Sequence, residues 1–145
     1  MLIIGTGLAG YTAAREIRKL DADTPISLLT SDDGVNYSKP MLSNGFAKGK
    51  SAEALKQQSP DRMAEALSAS VVSDTVVRAI DTDAQTVLTT SGELSYSALV
   101  LAIGANQIQL PLAGDASGDV ISVNTLPEYA VFRDRLDGKS TVAVM

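Results

Sequence analysis

The chain opens MLIIGTGLAGYTAAREIRKLDADTPISLL, in which Gly5, Gly7 and Gly10 take a Gly-x-Gly-x-x-Gly spacing. Ahead of the glycines, Leu2-Ile3-Ile4 is a short apolar run of the kind that forms a buried parallel strand. Behind them, from Leu8 to Leu20, the residues Ala9, Ala13, Ile17 and Leu20 recur at helical spacing, while Arg15, Glu16, Arg18 and Lys19 fill the opposite face. Asp23-Thr24-Pro25 breaks that helix, and Ile26 to Leu29 begins a second strand. Strand, glycine turn, helix and strand within ~30 residues make a βαβ unit.

In such a unit the first glycine permits the tight turn out of the strand. The second lets the backbone approach a pyrophosphate, and the third lets the helix pack on the strand. Backbone amides at the helix N-terminus then face the anion, and the helix dipole favours negative charge there. This reading assigns Gly5, Thr6, Gly7, Leu8, Ala9 and Gly10 to a dinucleotide site. A glycine turn that binds nothing has the same spacing; the flanking strand and helix favour the dinucleotide. The acidic ribose ligand of these units falls ~20 residues beyond the glycines, where the second strand ends. Here that stretch reads SLLTSDDG, so Thr30 takes the nearest position, Ser31 follows, and Asp32 and Asp33 come late. Either Asp32 reaches a ribose hydroxyl, or Asp32-Asp33-Gly34 is a solvated turn. The sequence leaves both open.

Composition narrows the chemistry. The 145 residues suffice for one domain with a real core and are too few for two full ones. No cysteine is present, which removes a disulfide framework, a thiolate metal site and a redox dithiol. No histidine is present, which removes the commonest general base and the usual hydrolytic triad. Chemistry here comes from a bound cofactor or is absent. A net charge of −5 with no basic stripe argues against nucleic acid as a partner. No run approaches the ~18 apolar residues that span a membrane, and no signal peptide is evident, so a cytoplasmic location is expected by default.

Further along, a polar loop VNYSKPMLSNGFAKGK leads to Ser51, which can cap a short helix to Gln58. Ser59-Pro60 starts another helix, with the hydroxyl at the cap and Pro at the first helical position, and Met63, Ala66 and Leu67 as its apolar face. Ser70–Ser73 is a third parallel strand. Val76–Ile80, Thr86–Thr90 and Glu93–Tyr96 read as an antiparallel meander. The continuous apolar run Ala98–Ile103, ended by Gly104, reads as a buried central strand. An amphipathic stretch covers Leu126–Leu136, and Thr141–Met145 begins a new apolar run. The expected fold is three-layer α/β, with parallel strands in the order 70–73, 26–30, 2–4, 99–103 and the 76–97 meander as a small antiparallel sheet.

Two further stretches carry a resemblance. YSALVLAIGANQIQLPLAGD, with Tyr96, Leu99–Ala102, Gly104, Ala105, Pro111 and Gly114, is similar to the segment of two-dinucleotide-binding flavoproteins of the pyridine nucleotide–disulfide oxidoreductase superfamily. Ile103 replaces the threonine usual in that segment. TSDDG followed by YSKPMLSNGFAKGK resembles the flavin-side loop of rubredoxin and NADH:flavorubredoxin reductases within it, with Lys39 before Pro40 where ferredoxin reductases have Arg. DTVVRAID resembles the superfamily's adenine-contacting strand and puts Val77 at that contact.

The resemblance implies a Rossmann-like FAD-binding domain, with FAD along the first βαβ unit and its pyrophosphate over Gly7 to Gly10. It implies Lys39 as a cation near pyrophosphate or flavin, and Pro40, Ala102, Ile103 and Gly104 beside the cofactor. It implies NADH as co-substrate and rubredoxin, or a similar small iron electron carrier, as partner. Lys48 and Lys50 lie on a solvated face or help steer an acidic partner. Superfamily members that reduce disulfides relay electrons through a Cys pair; without one, the flavin passes electrons directly. KSTVAVM looks like the first strand of an NAD-binding domain, cut before its glycines. The implied division is 1–115 for the N-terminal part of the FAD domain, 116–138 for a connecting segment and 139–145 for that strand. The chain then corresponds to the N-terminal third of a reductase, inactive alone, and the Leu99 strand lacks the neighbour a returning segment supplies. A stand-alone nucleotide-binding sensor is the alternative. A single-domain dehydrogenase with Tyr-x-x-x-Lys is disfavoured, because none of Tyr11, Tyr37, Tyr96 and Tyr129 has Lys four residues on.

Overall fold

A computed structural model describes residues 1–108 and 110–144. They form two compact units, one of residues 1–37 and 56–104, the other of 38–55 and 105–145.

The first unit is built on a parallel sheet. Strands β1 (Leu2–Ile4), β2 (Ser27–Leu29), β5 (Ser70–Val72) and β9 (Leu99–Leu101) lie in the order β5-β2-β1-β9, as the sequence predicts. Ile3 is in register with Leu28 on one side and Val100 on the other. Alternation across the sheet gives each face its own core. On one face Ile3 and Leu28 meet Tyr11 and Ala14 of helix α1 (Leu8–Leu20) and Met63 and Leu67 of helix α3 (Pro60–Leu67). On the other, Leu2, Ile4 and Leu29 meet Val87, with Val77, Tyr96 and Leu99 packed around them. Val87 comes from the meander β6 (Val77–Asp81), β7 (Thr86–Thr89) and β8 (Gly92–Ser95). Helices, parallel sheet and meander make the three layers.

Several expectations need correction. The buried face of α1 is Gly10, Tyr11 and Ala14, with Ala13 and Ile17 at its margin; Ala9 is exposed and Leu20 is 90% exposed. The apolar period marks the helix, but the close approach at Gly10 sets its rotation. On α3, Ala66 is exposed and Ala64 lies nearer the core. The run from Ala98 to Ile103 is not a buried central strand: β9 stops at Leu101 and has one neighbour among the described residues, leaving Leu101 60% and Ile103 71% exposed. Ser51 does cap a turn, accepting from the Ala54 amide, but that turn is a short 3-10 helix over Glu53–Leu55. Lys56–Gln58 is then strand β4, paired antiparallel with β3 (Asn36–Tyr37), because the chain leaves and re-enters the first unit side by side there.

In the second unit the loop expected after Tyr37 contains helix α2 (Met41–Ala47). Helix α4 spans Leu126–Leu136, within the expected bounds. Thr125 and Glu128 cap it reciprocally: the carboxylate accepts from the Asn124 and Thr125 amides at 2.8 Å, and Thr125 accepts from the Glu128 amide. The Asn124 amide bond and those from Thr125, helped by the charge of Lys39, hold the Glu128 carboxyl below its ordinary value. Tyr129 is buried and donates to the Lys50 carbonyl at 2.8 Å, and Phe132 packs on Phe46 at 5.2 Å between ring centroids. Of the run expected over 141–145, residues 141–144 are exposed and join no sheet, and Met145 lies outside the described residues.

Both helices of the first unit end on one tie. Arg18 donates to the carbonyls of Leu67 and Ser68 at the end of α3, and of Asp21 and Ala22 at the end of α1. Beside it Asp21 caps the following turn, accepting from the Thr24 hydroxyl and the Asp23 and Thr24 amides. The Thr24 hydroxyl first, then those amides and the Arg18 charge, hold the Asp21 carboxyl down to about 2 from 3.8. A depressed carboxyl contributes stability that is complete above its unfolded value and lost as pH falls through its folded one. Asp21→Ala should therefore lower the melting temperature at pH 7, and the difference from wild type should shrink as pH falls from 3.8 through about 2. Thermal melts at pH 7 and across that fall check it.

Candidate functional site

The order β5-β2-β1-β9 reverses direction at β1: the chain steps outward through β2 and β5, then returns to the far side of β1 as β9. In open α/β sheets ligands bind at the carboxyl ends of the strands, at such a reversal. At that edge three segments meet. They are the glycine turn after β1, residues 30–34 after β2, and Ala102–Gly104 after β9.

Gly5 has φ +107, a left-handed conformation, and a Cβ there would overlap the Ala102 carbonyl. A Cβ on Gly10 would overlap the Gly5 carbonyl and sit 3.5 Å from the Ala102 Cβ. Those two glycines let α1, the β1 turn and the end of β9 touch backbone to backbone. The contact is tied by the Ala102 amide donating to the Ile4 carbonyl at 2.8 Å and the Gly5 amide to the Leu29 carbonyl at 2.7 Å.

Gly7 differs from both. Its φ of −67 and ψ of −173 are open to any residue, and a Cβ there would meet nothing within 4 Å. It is also the N-cap of α1, a position where Ser, Thr, Asp or Asn stabilise a helix and Gly gives less. No side chain caps α1, and its first turn holds no acidic residue. The first-turn amides of a helix have no intrahelical acceptor, so those of Leu8, Ala9 and Gly10 are set for an external anion. Gly7, Leu8 and Ala9 are exposed around them, while Thr6 is buried beneath. Neither backbone conformation nor local packing requires a glycine at 7, and its bare backbone leaves the amides beside it open to an approaching group. The residues fit a dinucleotide pyrophosphate.

At the end of β2, Thr30 is buried, with Ser31 and Asp32 exposed. The Asp32 Oδ1 accepts from the Thr30 hydroxyl at 2.6 Å and from the Gly34 amide at 3.0 Å. Asp32 thus closes an exposed turn at the carboxyl edge of the sheet, the second of the two readings the sequence left open. The Thr30 carbonyl accepts from the Thr75 amide, and the Asp32 carbonyl from the Asp74 amide. Val77 is half-buried on β6 against the Leu29 and Val87 core. Gly104 takes φ +67 after the exposed Ile103. Lys39 and Pro40 belong to the second unit, where both are exposed and Pro40 caps α2.

The sequence reading missed two residues here. Gly34 is buried at φ +71, with a would-be Cβ 3.3 Å from both Pro60 and Val71. Tyr11 is wholly buried, and its hydroxyl donates to the Gly34 carbonyl. The usable signal was Asp-Asp-Gly, an Asx turn closed by glycine, with a lone tyrosine directly after the third glycine. Among the described residues no cluster of three or more potential metal ligands occurs, and no helix is long and apolar enough to cross a membrane.

The family model for pyridine nucleotide-disulphide oxidoreductases matches residues 1–144, and the chain belongs to that family. It is 50% identical over its full 145 residues to a rubredoxin-NAD(+) reductase of Alcanivorax borkumensis, covering 38% of that protein. It is 34% identical over 145 residues to a nitric oxide reductase FlRd-NAD(+) reductase of Aliivibrio fischeri, covering 99% of this chain and 38% of that one. Among solved structures it resembles putidaredoxin reductase in its covalent complex with putidaredoxin. The TM-score is 0.79 and the identity 33%, over 93% of this chain and 33% of that one. The chain thus spans little more than a third of the length of these relatives.

The glycines should separate experimentally. Gly10→Ala should cost the fold ~1–3 kcal/mol or more, because the overlap is with backbone. Gly7→Ser should leave stability unchanged or raise it by a few tenths of a kcal/mol, roughly the gain of a hydroxyl cap over glycine. Chemical denaturation of the three proteins without ligand checks both.

Proposed function

We propose that this chain is the FAD-binding portion of an NAD(P)H-dependent flavoprotein reductase, passing electrons from NADH through FAD to a small iron protein such as rubredoxin. The observation that carries it is Gly7, a glycine placed where neither φ nor local packing demands one, at an uncapped helix N-terminus on the sheet's reversal point. Similarity along all 145 residues to part of a rubredoxin-NAD(+) reductase supports the acceptor class. Residues 1–115 are the N-terminal part of the FAD domain, 116–138 a connecting segment, and 139–145 the first strand of an NAD-binding domain. NADH and the iron carrier make this a cytoplasmic reaction.

In this reading the amides of Leu8, Ala9 and Gly10 hold the pyrophosphate, with Gly5, Thr6 and Gly7 shaping the backbone that meets it. Thr30, Ser31 and Asp32 bind the adenosine ribose and Val77 the adenine, while Ala102, Ile103 and Gly104 flank the cofactor. Lys39, ahead of Pro40, supplies a cation toward the pyrophosphate or flavin. FAD held there would supply hydride acceptance from a nicotinamide and single-electron release, the chemistry an iron acceptor requires. The chain has no cysteine, so no dithiol of its own stands between flavin and acceptor.

Gly7→Val in the whole protein should abolish FAD binding while the fold persists, read from the flavin absorbance of the purified protein against its circular dichroism. Normal flavin content in that variant would move the phosphate site elsewhere. Lys39→Ala should weaken FAD binding or shift the flavin potential with the fold intact, measured by FAD titration and redox titration. With added FAD, this chain alone should not reduce an artificial acceptor from NADH at an enzymatic rate, because hydride transfer needs the nicotinamide held against the flavin. The same chain extended to the length of its relatives should. Equal turnover by the two would overturn the reading.

A further inference from the structure

The loop after β2 is held from three directions, and one of the ties comes from the helix that presents the anion site. Tyr11 is one residue past Gly10 on α1, wholly buried, and its hydroxyl donates to the carbonyl of Gly34 across 23 residues of chain. Gly34 is left-handed at φ +71 and closely surrounded, so its peptide has little freedom to turn elsewhere. Its amide donates to the Asp32 Oδ1, and the same oxygen accepts from the Thr30 hydroxyl. The chain of bonds therefore runs from Tyr11 through Gly34 and Asp32 to Thr30. From below, the Thr75 and Asp74 amides hold the carbonyls of Thr30 and Asp32. Ser31 and Asp32 stand exposed at the top of this frame.

We propose that Tyr11 is a positioning residue for nucleoside binding: by holding the Gly34 carbonyl it fixes the Asx turn in which Asp32 orients Thr30, Ser31 and its own carboxylate toward the adenosine ribose. The proposal rests on the FAD reading above and adds a residue that touches no part of the ligand. The physical reason for such a device lies in the sequence. The carboxylate arrives three residues after the end of β2 at Leu29, on a loop rather than on the strand, so the sheet does not hold it in place. A buried hydroxyl from α1 couples that loop to the helix that meets the pyrophosphate, and the two halves of the nucleotide site share one rigid frame. Burial first, then the charges of Asp32 and Asp33, push the Tyr11 hydroxyl up to about 12, so it remains a donor throughout the range where the protein is handled.

The test is a double-mutant cycle with Tyr11→Phe and Asp32→Ala in the whole protein. FAD affinity is read by titrating the apoprotein, and stability by its thermal melt. Phe keeps the buried ring and removes only the hydroxyl. Tyr11→Phe should raise the FAD Kd roughly tenfold, the scale of one buried hydrogen bond's worth of order. In the Asp32→Ala background the same change should raise it less than about threefold, because the residue it works through is gone. Asp32→Asn, which keeps the turn's acceptor oxygen, is the second background should Asp32→Ala not fold; there Tyr11→Phe should still weaken binding roughly tenfold. Binding changes that multiply independently in the Asp32→Ala cycle, or a Tyr11→Phe protein that melts lower yet binds FAD as wild type does, would make Tyr11 a packing residue and overturn the proposal. A wild-type protein that takes up no FAD would instead overturn the reading of function itself.

Discussion

Everything at the candidate site depends on one close approach, that of the α1 backbone to the turn after β1. At Gly10 the helix comes so near the Gly5 carbonyl that no side chain fits, and Gly5 in turn lies against the Ala102 carbonyl. Three backbones meet there without a side chain between them. This contact sets the rotation of α1, which is why Tyr11 and Ala14 enter the core and Leu20 does not. It also aims the helix N-terminus along the carboxyl edge of the sheet.

From that contact the two parts of the candidate site follow by different physics. The glycine turn is shaped by what is absent: a Cβ at Gly7, a capping side chain and an acid in the first turn. The loop after β2 is shaped by hydrogen bonds, within itself and to α1 and residues 74–75. Strand β9 flanks β1 on its other side as the sheet's edge among the described residues, with Leu101 exposed and Ile103 exposed just beyond it. An apolar run of that length reads as interior because sequence carries hydrophobicity, not the number of neighbours a strand finds.

The same limit explains the smaller differences. Residues 36–37 and 56–58 are too short and polar to signal strands; they pair because the chain departs from and returns to the first unit beside itself. Helix α2 was read as loop because seven residues containing Ser, Asn and Gly have low helical propensity. Its inner residues Leu42 and Gly45 are held by packing, with Gly45 under Leu55. By contrast the start of α3 was legible, since Ser59-Pro60 is a local signal that needs no tertiary partner: the hydroxyl accepts from the Arg62 amide.

The sequence by itself determined the βαβ unit, the order of the parallel strands and the meander, through periodicity and turn signals, and the family through several motifs in register that resemble it. Without cysteine or histidine it also left out a dithiol, a thiolate metal site and a histidine base. Only the tertiary structure decided which glycines the packing requires, since that turns on what stands within 4 Å of an atom that is not there. It alone joined Tyr11 to Gly34 and showed the late Asp32 closing an exposed turn. Hydrogen bonds between residues 23 positions apart leave no periodic trace in a sequence, and burial is a property of neighbours that the chain acquires only on folding.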